Sequence, residues 1–226
     1  MDRDFGILCA GGFSFFGISN RLISHKLRNK LAIISETSGL LNDLVQLSPD
    51  VTKLEPGKLR SLTESIAEEV ARANALVGHM NAFAHSVDKF FMDVDIRDIL
   101  RLVIAIAQLD TYAENTKLRF VETEACMAYT SPFFLGNLFY EVITLSLSTA
   151  GPQGEIRVSV HPESDGLRIS FSGIAADEPK FTTGKVALVA NALSAKISFN
   201  TSSSEFNIIL PRRIGESALQ NLSPDE

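Results

Sequence analysis

The chain has 226 residues, 45% of them hydrophobic and 21% charged, which is the composition of an ordinary folded protein with room for one large domain or two modest ones. A formal charge of −6 excludes a surface built to neutralise nucleic-acid phosphates, which needs clustered Lys and Arg. The two cysteines, Cys9 and Cys126, have neither metal-ligand spacing nor a disulfide framework, so a reducing cytoplasm is expected.

Phe5 to Asn20 carries no charge, but it is shorter than the roughly 20 apolar residues of a membrane span and contains four glycines and two serines. It is read as a buried lead-in to a helix, and no membrane association is expected. A signal peptide is the weaker alternative, because Met1 to Asp4 has no net positive charge. Two helical stretches follow, divided by Ser48-Pro49-Asp50 and Glu55-Pro56-Gly57, clusters that end one helix and favour the start of the next. In the second stretch Leu59, Leu62, Ile66, Val70, Ala73, Val77, Met80, Ala84, Val87 and Phe91 alternate in steps of three and four, the spacing of a coiled-coil seam. A long hairpin with one continuous apolar stripe buries it most simply against a second hairpin, giving a four-helix bundle in a homodimer.

From about Asp93 the pattern becomes mixed. A helix is expected near Ile96 to Leu109, with further helices at Pro132 to Ser148 and Lys185 to Leu193. Alternating or β-branched runs bounded by turn residues mark strands at Lys117–Val121, Glu155–Val160, Leu167–Phe171, Lys196–Phe199 and Phe206–Leu210. The fold class is therefore α+β: a long N-terminal helical hairpin followed by a two-layer α/β sandwich. The expected domains are a hairpin over 1–92, the sandwich over 93–213 and a polar, loose tail over 214–226.

The segment Ser24-His25-Lys26-Leu27-Arg28-Asn29-Lys30-Leu31 is the most informative for chemistry. At 100° per residue Leu27, Leu31 and Ile34 share a face, and His25 points roughly 160° from their centre, near Asn29 and Glu36. An exposed imidazole on a rigid helix can attack a phosphoryl group through a ring nitrogen that is neutral near pH 7, and the phosphoramidate can be passed to an aspartate of another protein. Asn29, one turn on, is positioned to orient water or the incoming group. Arg21, Lys26 and Arg28 are candidate docking cations for an acidic, Mg²⁺-loaded partner site. His79, His85 and His161 are read as solvated or capping residues.

This segment, together with the amphipathic helix, the Pro-containing turn and Arg72-Ala73-Asn74-Ala75-Leu76-Val77 on the return helix, resembles the dimerisation and phosphoacceptor domain of sensor histidine kinases. In that family the phosphorylated His is usually followed by an acidic residue, with Asn or Thr four positions after the His and then Pro. Here His25 and Asn29 match, whereas Lys26 takes the acidic position and Lys30 the Pro position. The acidic neighbour is the family's base for attack on ATP. Its replacement by Lys implies loss of autophosphorylation, while transfer to and from a receiver aspartate is retained, since the response regulator brings its own metal and Lys.

The second half, over Val94 to Pro211, resembles the family's ATP-binding domain in element order. Asn137-Leu138-Phe139-Tyr140-Glu141-Val142 stands where the family has Asn-Leu-x-x-Asn-Ala, so the metal-binding Asn is Glu141. Ser172-Gly173-Ile174-Ala175-Ala176 replaces the adenine-reading Asp-x-Gly-x-Gly loop, and Gly184-Lys185-Val186-Ala187-Leu188 keeps one glycine of the phosphate loop. Ser203-Ser204-Glu205-Phe206 replaces the last Gly-rich turn.

The resemblance thus implies a dimeric bacterial phosphorelay histidine phosphotransferase that exchanges phosphate with response-regulator receiver domains through His25, holds no cofactor of its own and takes Mg²⁺ from its partner. Two alternatives stand beside it. One is a divergent ATP-using sensor kinase with Glu141 and Asp177 in substitute roles, Glu141 keeping a carboxylate able to hold Mg²⁺. The other is a non-catalytic dimeric scaffold or inhibitor of two-component signalling.

Overall fold

A computed structural model describes residues 3–47, 55–110, 116–121, 124–150, 154–174 and 184–214. Helix α1 (Arg3–Leu47) contains no proline, and α2 (Pro56–His85) begins on one, where the missing N–H costs nothing. The expected turn at Ser48-Pro49-Asp50 lies outside the described residues. The elements that follow are β1 (Met92–Asp95), α3 (Ile96–Ala107), β2 (Lys117–Val121), β3 (Met127–Thr130) and α4 (Pro132–Thr149). Then come β4 (Glu155–Glu163), β5 (Gly166–Ser172), α5 (Gly184–Ala192), β6 (Lys196–Asn200) and β7 (Glu205–Pro211). The chain is α+β, as its patterning leads one to expect.

Two compact units result: residues 20–81, and a second that joins the residues up to Ser19 with those from Ala82 onward. The expected boundary at residue 92 follows the chain, whereas packing also gives both outer ends of the hairpin to the second unit. The physical reason is aromatic. Phe15 is 1% exposed, with its ring centroid 5.2 Å from those of Phe83 and Tyr140 and 5.8 Å from that of Phe133. The apolar stretch at the chain's start is therefore part of α1 itself rather than a lead-in to it. Leu8 and Phe15 are buried, and Phe13 is 78% exposed. Among the described residues α1 is the one helix long and apolar enough, by length and composition, to cross a membrane; a third of that apolar window is buried within the protein.

In the unit of residues 20–81 the buried side of α2 keeps Ala73 of the expected seam but takes Glu69 and Leu76 in place of Val70 and Val77. Glu69, Ala73 and Leu76 are buried, whereas Val70 and Val77 are 41% and 36% exposed. Successive residues stand 100° apart, so α2 carries two adjacent stripes and only one can face α1. The helix also ends at His85, which leaves Val87 and Phe91 in the connection to β1.

In the second unit β2, β4, β5, β7 and β6 form one sheet in that order, β2 and β4 parallel and the other pairs antiparallel. Ile156, Val158, Val160, Leu167, Ile169, Phe171, Phe206, Ile208 and Leu210 are fully buried on one face. Helix α4 packs there, with Phe139 6.3 Å from Phe171 between ring centroids. The opposite face is polar, marked by the Ser170 hydroxyl donating to Asn207 Oδ1 at 2.6 Å.

Two strands were not expected from the sequence. β1 and β3 pair antiparallel, Met92 opposite Thr130 and Asp95 opposite Met127. The turn from β1 into α3 is fixed by Asp95, whose carboxylate accepts from the Arg97 backbone N–H at 3.1 Å and from its Nε at 3.0 Å. At the far end Ile214 is 3% exposed and its N–H donates to the Tyr129 carbonyl. The expected loose tail thus begins with an anchored residue, and 215–226 lie outside the described residues.

Candidate functional site

His25 stands on α1 with its ring exposed, as do Asn29, one turn further on, and Glu36. Leu27 and Ile34 on the other side are half-buried, and Leu31 of the same expected face is 54% exposed in the single chain. Arg21 and Arg28 are exposed and Lys26 is half-buried. No hydrogen bond or ion pair from another described side chain engages His25, Asn29 or these three cations. The result is an accessible imidazole in a basic neighbourhood on a helix whose other side is packed.

That helix is held by the buried Ile23, 1% exposed, and by a charge cluster that patterning did not disclose. Lys30 Nζ lies 3.1 Å from Glu69 Oε2, joining α1 to α2, and Glu69 also receives Arg72. Arg72 donates in addition to Glu68 at 3.0 Å. Glu69 is buried, and the Lys30 ammonium, seconded by Arg72, holds its carboxyl below the ordinary carboxylate range against the opposing effect of burial. The available signal was a carboxylate in the apolar stripe, four residues before Ala73, since a buried charge demands an opposite one. Lys30 occupies the position where the resembling family has Pro, and here it ties the hairpin together.

The other histidines are elsewhere. His85 closes α2 and pairs with Asp88 at 2.6 Å, His79 is half-buried, and His161 lies exposed on β4.

In the α/β unit, the resemblance sets Asn137, Glu141, Gly173 and Lys185 against the family's nucleotide site. Glu141 on α4 is ion-paired with Lys185 from the start of α5. Asn137 is fully buried one turn earlier, with no partner for its amide oxygen or nitrogen among the described residues. A metal ion prefers oxygen ligands whose charge is free, and the Glu141 carboxylate already has a cation. Gly173 adopts φ +86 beside the Glu155 carbonyl, a conformation and a spacing that require glycine. Ala175, Ala176 and Asp177 lie outside the described residues. Among those described, no group of His, Cys, Asp and Glu is arranged to hold a metal ion.

No protein-family model and no curated protein matches the chain. Solved structures do resemble it at low identity. A bacterial phosphotransferase is 12% identical, with 87% of this chain and 95% of that one covered, at a TM-score of 0.49. The Acinetobacter baumannii histidine kinase AdeS is 15% identical over 83% of this chain and 98% of its own, at 0.44. The catalytic domain of histidine kinase ThkA is 12% identical over 55% of this chain and 99% of its own, at 0.47. All these scores lie below 0.5, so the functional reading stands on the residues and their geometry.

Proposed function

We propose that this chain is a histidine phosphotransferase of the two-component type, acting in the cytoplasm as a homodimer and using no ATP of its own. The observation that carries the reading is the exposed, unengaged imidazole of His25, with Asn29 beside it on a helix braced from behind. A ring nitrogen of His25 attacks the phosphorus of a receiver's aspartyl phosphate in line. The N–P bond forms as the P–O bond to the carboxylate breaks, and the aspartate leaves as carboxylate. The reverse step, onto a second receiver, follows by mass action. Mg²⁺ is supplied by the receiver, and Arg21, Lys26 and Arg28 attract its acidic site.

The dimer is inferred from apolar side chains left in water. Val70 and Val77 on α2, with Leu31 and Leu40 on α1, are each at least 36% exposed, and a second hairpin would cover such stripes in a four-helix bundle. The carboxylate at Glu141 is spent on Lys185, which disfavours the ATP-using alternative.

The test is to mix the purified protein with phosphorylated receiver domains and, separately, with labelled ATP. Label is expected on His25 from at least one receiver and none from ATP. The His25→Ala variant is expected to take none while keeping its fold, because exposed substitutions cost within about 0.5 kcal/mol. Label from ATP would overturn the nucleotide-free reading. A His25→Ala protein that keeps its full effect in cells would replace transfer by scaffolding.

A further inference from the structure

The face of α4 that carries Asn137 and Glu141 is partly covered from within the chain. Lys185 reaches Glu141 with its ammonium, and its aliphatic stem runs beneath the first turns of α1. A Cβ placed on Gly11 would lie 2.7 Å from Lys185 Cε and 3.8 Å from Asn137 Nδ2. The next residue is under the same constraint, for a Cβ on Gly12 would lie 2.9 Å from Cε1 of Phe133 on α4. Two adjacent glycines are costly inside a helix, at roughly 1 kcal/mol each relative to alanine. Here they remove side-chain bulk where α1 crosses α4 and α5. Leu8 and Phe15, on either side of them, are buried. The contact is thus a fitted seat with a charge pair in its floor.

We propose that Lys185 is a resident cation that stands at Glu141 in place of a divalent metal, and that this face of α4 serves as the seat of the first turns of α1, the helix that carries His25. The α/β unit then acts as a clamp on the phosphoacceptor helix. Nucleotide and helix would need the same face of α4, and the helix holds it. This inference rests on the reading of the α/β unit as nucleotide-free, but it is independent of phosphate transfer. Failure to label His25 from any receiver would therefore leave it standing.

The experiment is amide hydrogen exchange on the full chain, reading residues 8–19 of α1 against the strands β5 and β7. Lys185→Ala is expected to speed exchange over 8–19 by about tenfold or more while the strands keep their rates, because only a local opening is released. Lys185→Arg is expected to keep the slow exchange. Gly11→Leu retains the charge pair's residues but takes the space of the Lys185 stem, and it is expected to speed exchange over the same segment. Magnesium with a non-hydrolysable ATP analogue is expected to leave the wild-type rates unchanged. Unchanged exchange over 8–19 in both Lys185→Ala and Gly11→Leu would overturn the clamp. So would acceleration of that segment in the wild type by the magnesium nucleotide, since a displaced helix would mean that the pocket still takes its ligand.

Discussion

Replacing Phe15 by Ala tests whether the start of α1 belongs to the folded α/β unit or merely leads up to the hairpin. The ring is 1% exposed and touches three other rings, Phe83, Phe133 and Tyr140. Truncating a fully buried Phe costs about 3–5 kcal/mol, from lost transfer energy and from the cavity left behind. The edge-on contact with Phe83, at an interplanar angle of 85°, puts the expectation toward the upper part of that range. Against a typical total stability of roughly 5–15 kcal/mol this is a large fraction. For a chain of this size it corresponds to a drop in Tm on the order of 10 °C. The control is Phe13→Ala, two residues away and 78% exposed, for which less than about 0.5 kcal/mol is expected. Urea unfolding followed by tyrosine emission suits the purpose, because the chain has no tryptophan and three tyrosines, and Tyr140 lies in the Phe15 cluster. Equal, small effects of the two variants would refute the packing argument. They would favour a role for this apolar segment outside the fold, such as a membrane anchor.

Three further variants have defined expected outcomes. Asp95→Ala removes the cap of α3 and is expected to cost about 1 kcal/mol, read by denaturant midpoint. Because Arg97 holds the Asp95 carboxyl below its ordinary 3.8, the cap's contribution is full above that value and fades as pH falls through the lowered one; the variant should therefore show a shallower acid loss of stability. Lys30→Met leaves the buried Glu69 carboxylate with Arg72 alone and is expected to lower the melting temperature at pH 7. The wild-type advantage over it should vanish as pH falls below the ordinary 4.5 of that group, where a depressed carboxyl at last takes its proton. If the proposed dimer forms through the exposed stripes, Val70→Glu with Val77→Glu is expected to halve the mass seen by light scattering, while circular dichroism is preserved because both positions are exposed in the single chain.

The fold was legible where periodicity was strong and local. Both long helices, α3, α4, α5 and the five strands of the large sheet could be read from period and turn residues, because each carries its apolar period and its ending within its own segment. β1 and β3 could not. Met92-Asp93-Val94-Asp95 alternates, but its acidic residues have poor strand preference, and its existence depends on pairing with Met127–Thr130, more than thirty residues away. The choice of Glu69 and Leu76 for the α2 face escaped for a different reason. Val70 and Val77 satisfy the apolar pattern as well as Leu76 does, and pattern alone cannot say which of two adjacent stripes meets α1. The Lys185–Glu141 pair spans 44 residues and was invisible in the same way. Lys185 reads as drift within a phosphate loop until its ammonium is seen beside the carboxylate.

The Lys30–Glu69 contact links stability to the chemistry proposed for His25. Lys30 follows His25 by five residues, which at 100° each places the two about 140° apart around the helix axis. A side chain drawn inward to a buried carboxylate at Lys30 thus turns His25 outward. Packing fixes the same rotation, since Ile23, two residues before His25 and so about 160° from it around the axis, is 1% exposed. The ion pair adds a defined partner on that inner side, one turn beyond the half-buried Leu27. The residue that departs from the resembling family's Pro then has a physical role of its own: the charge that offsets the burial of Glu69 sits on the side of α1 away from the exposed His25.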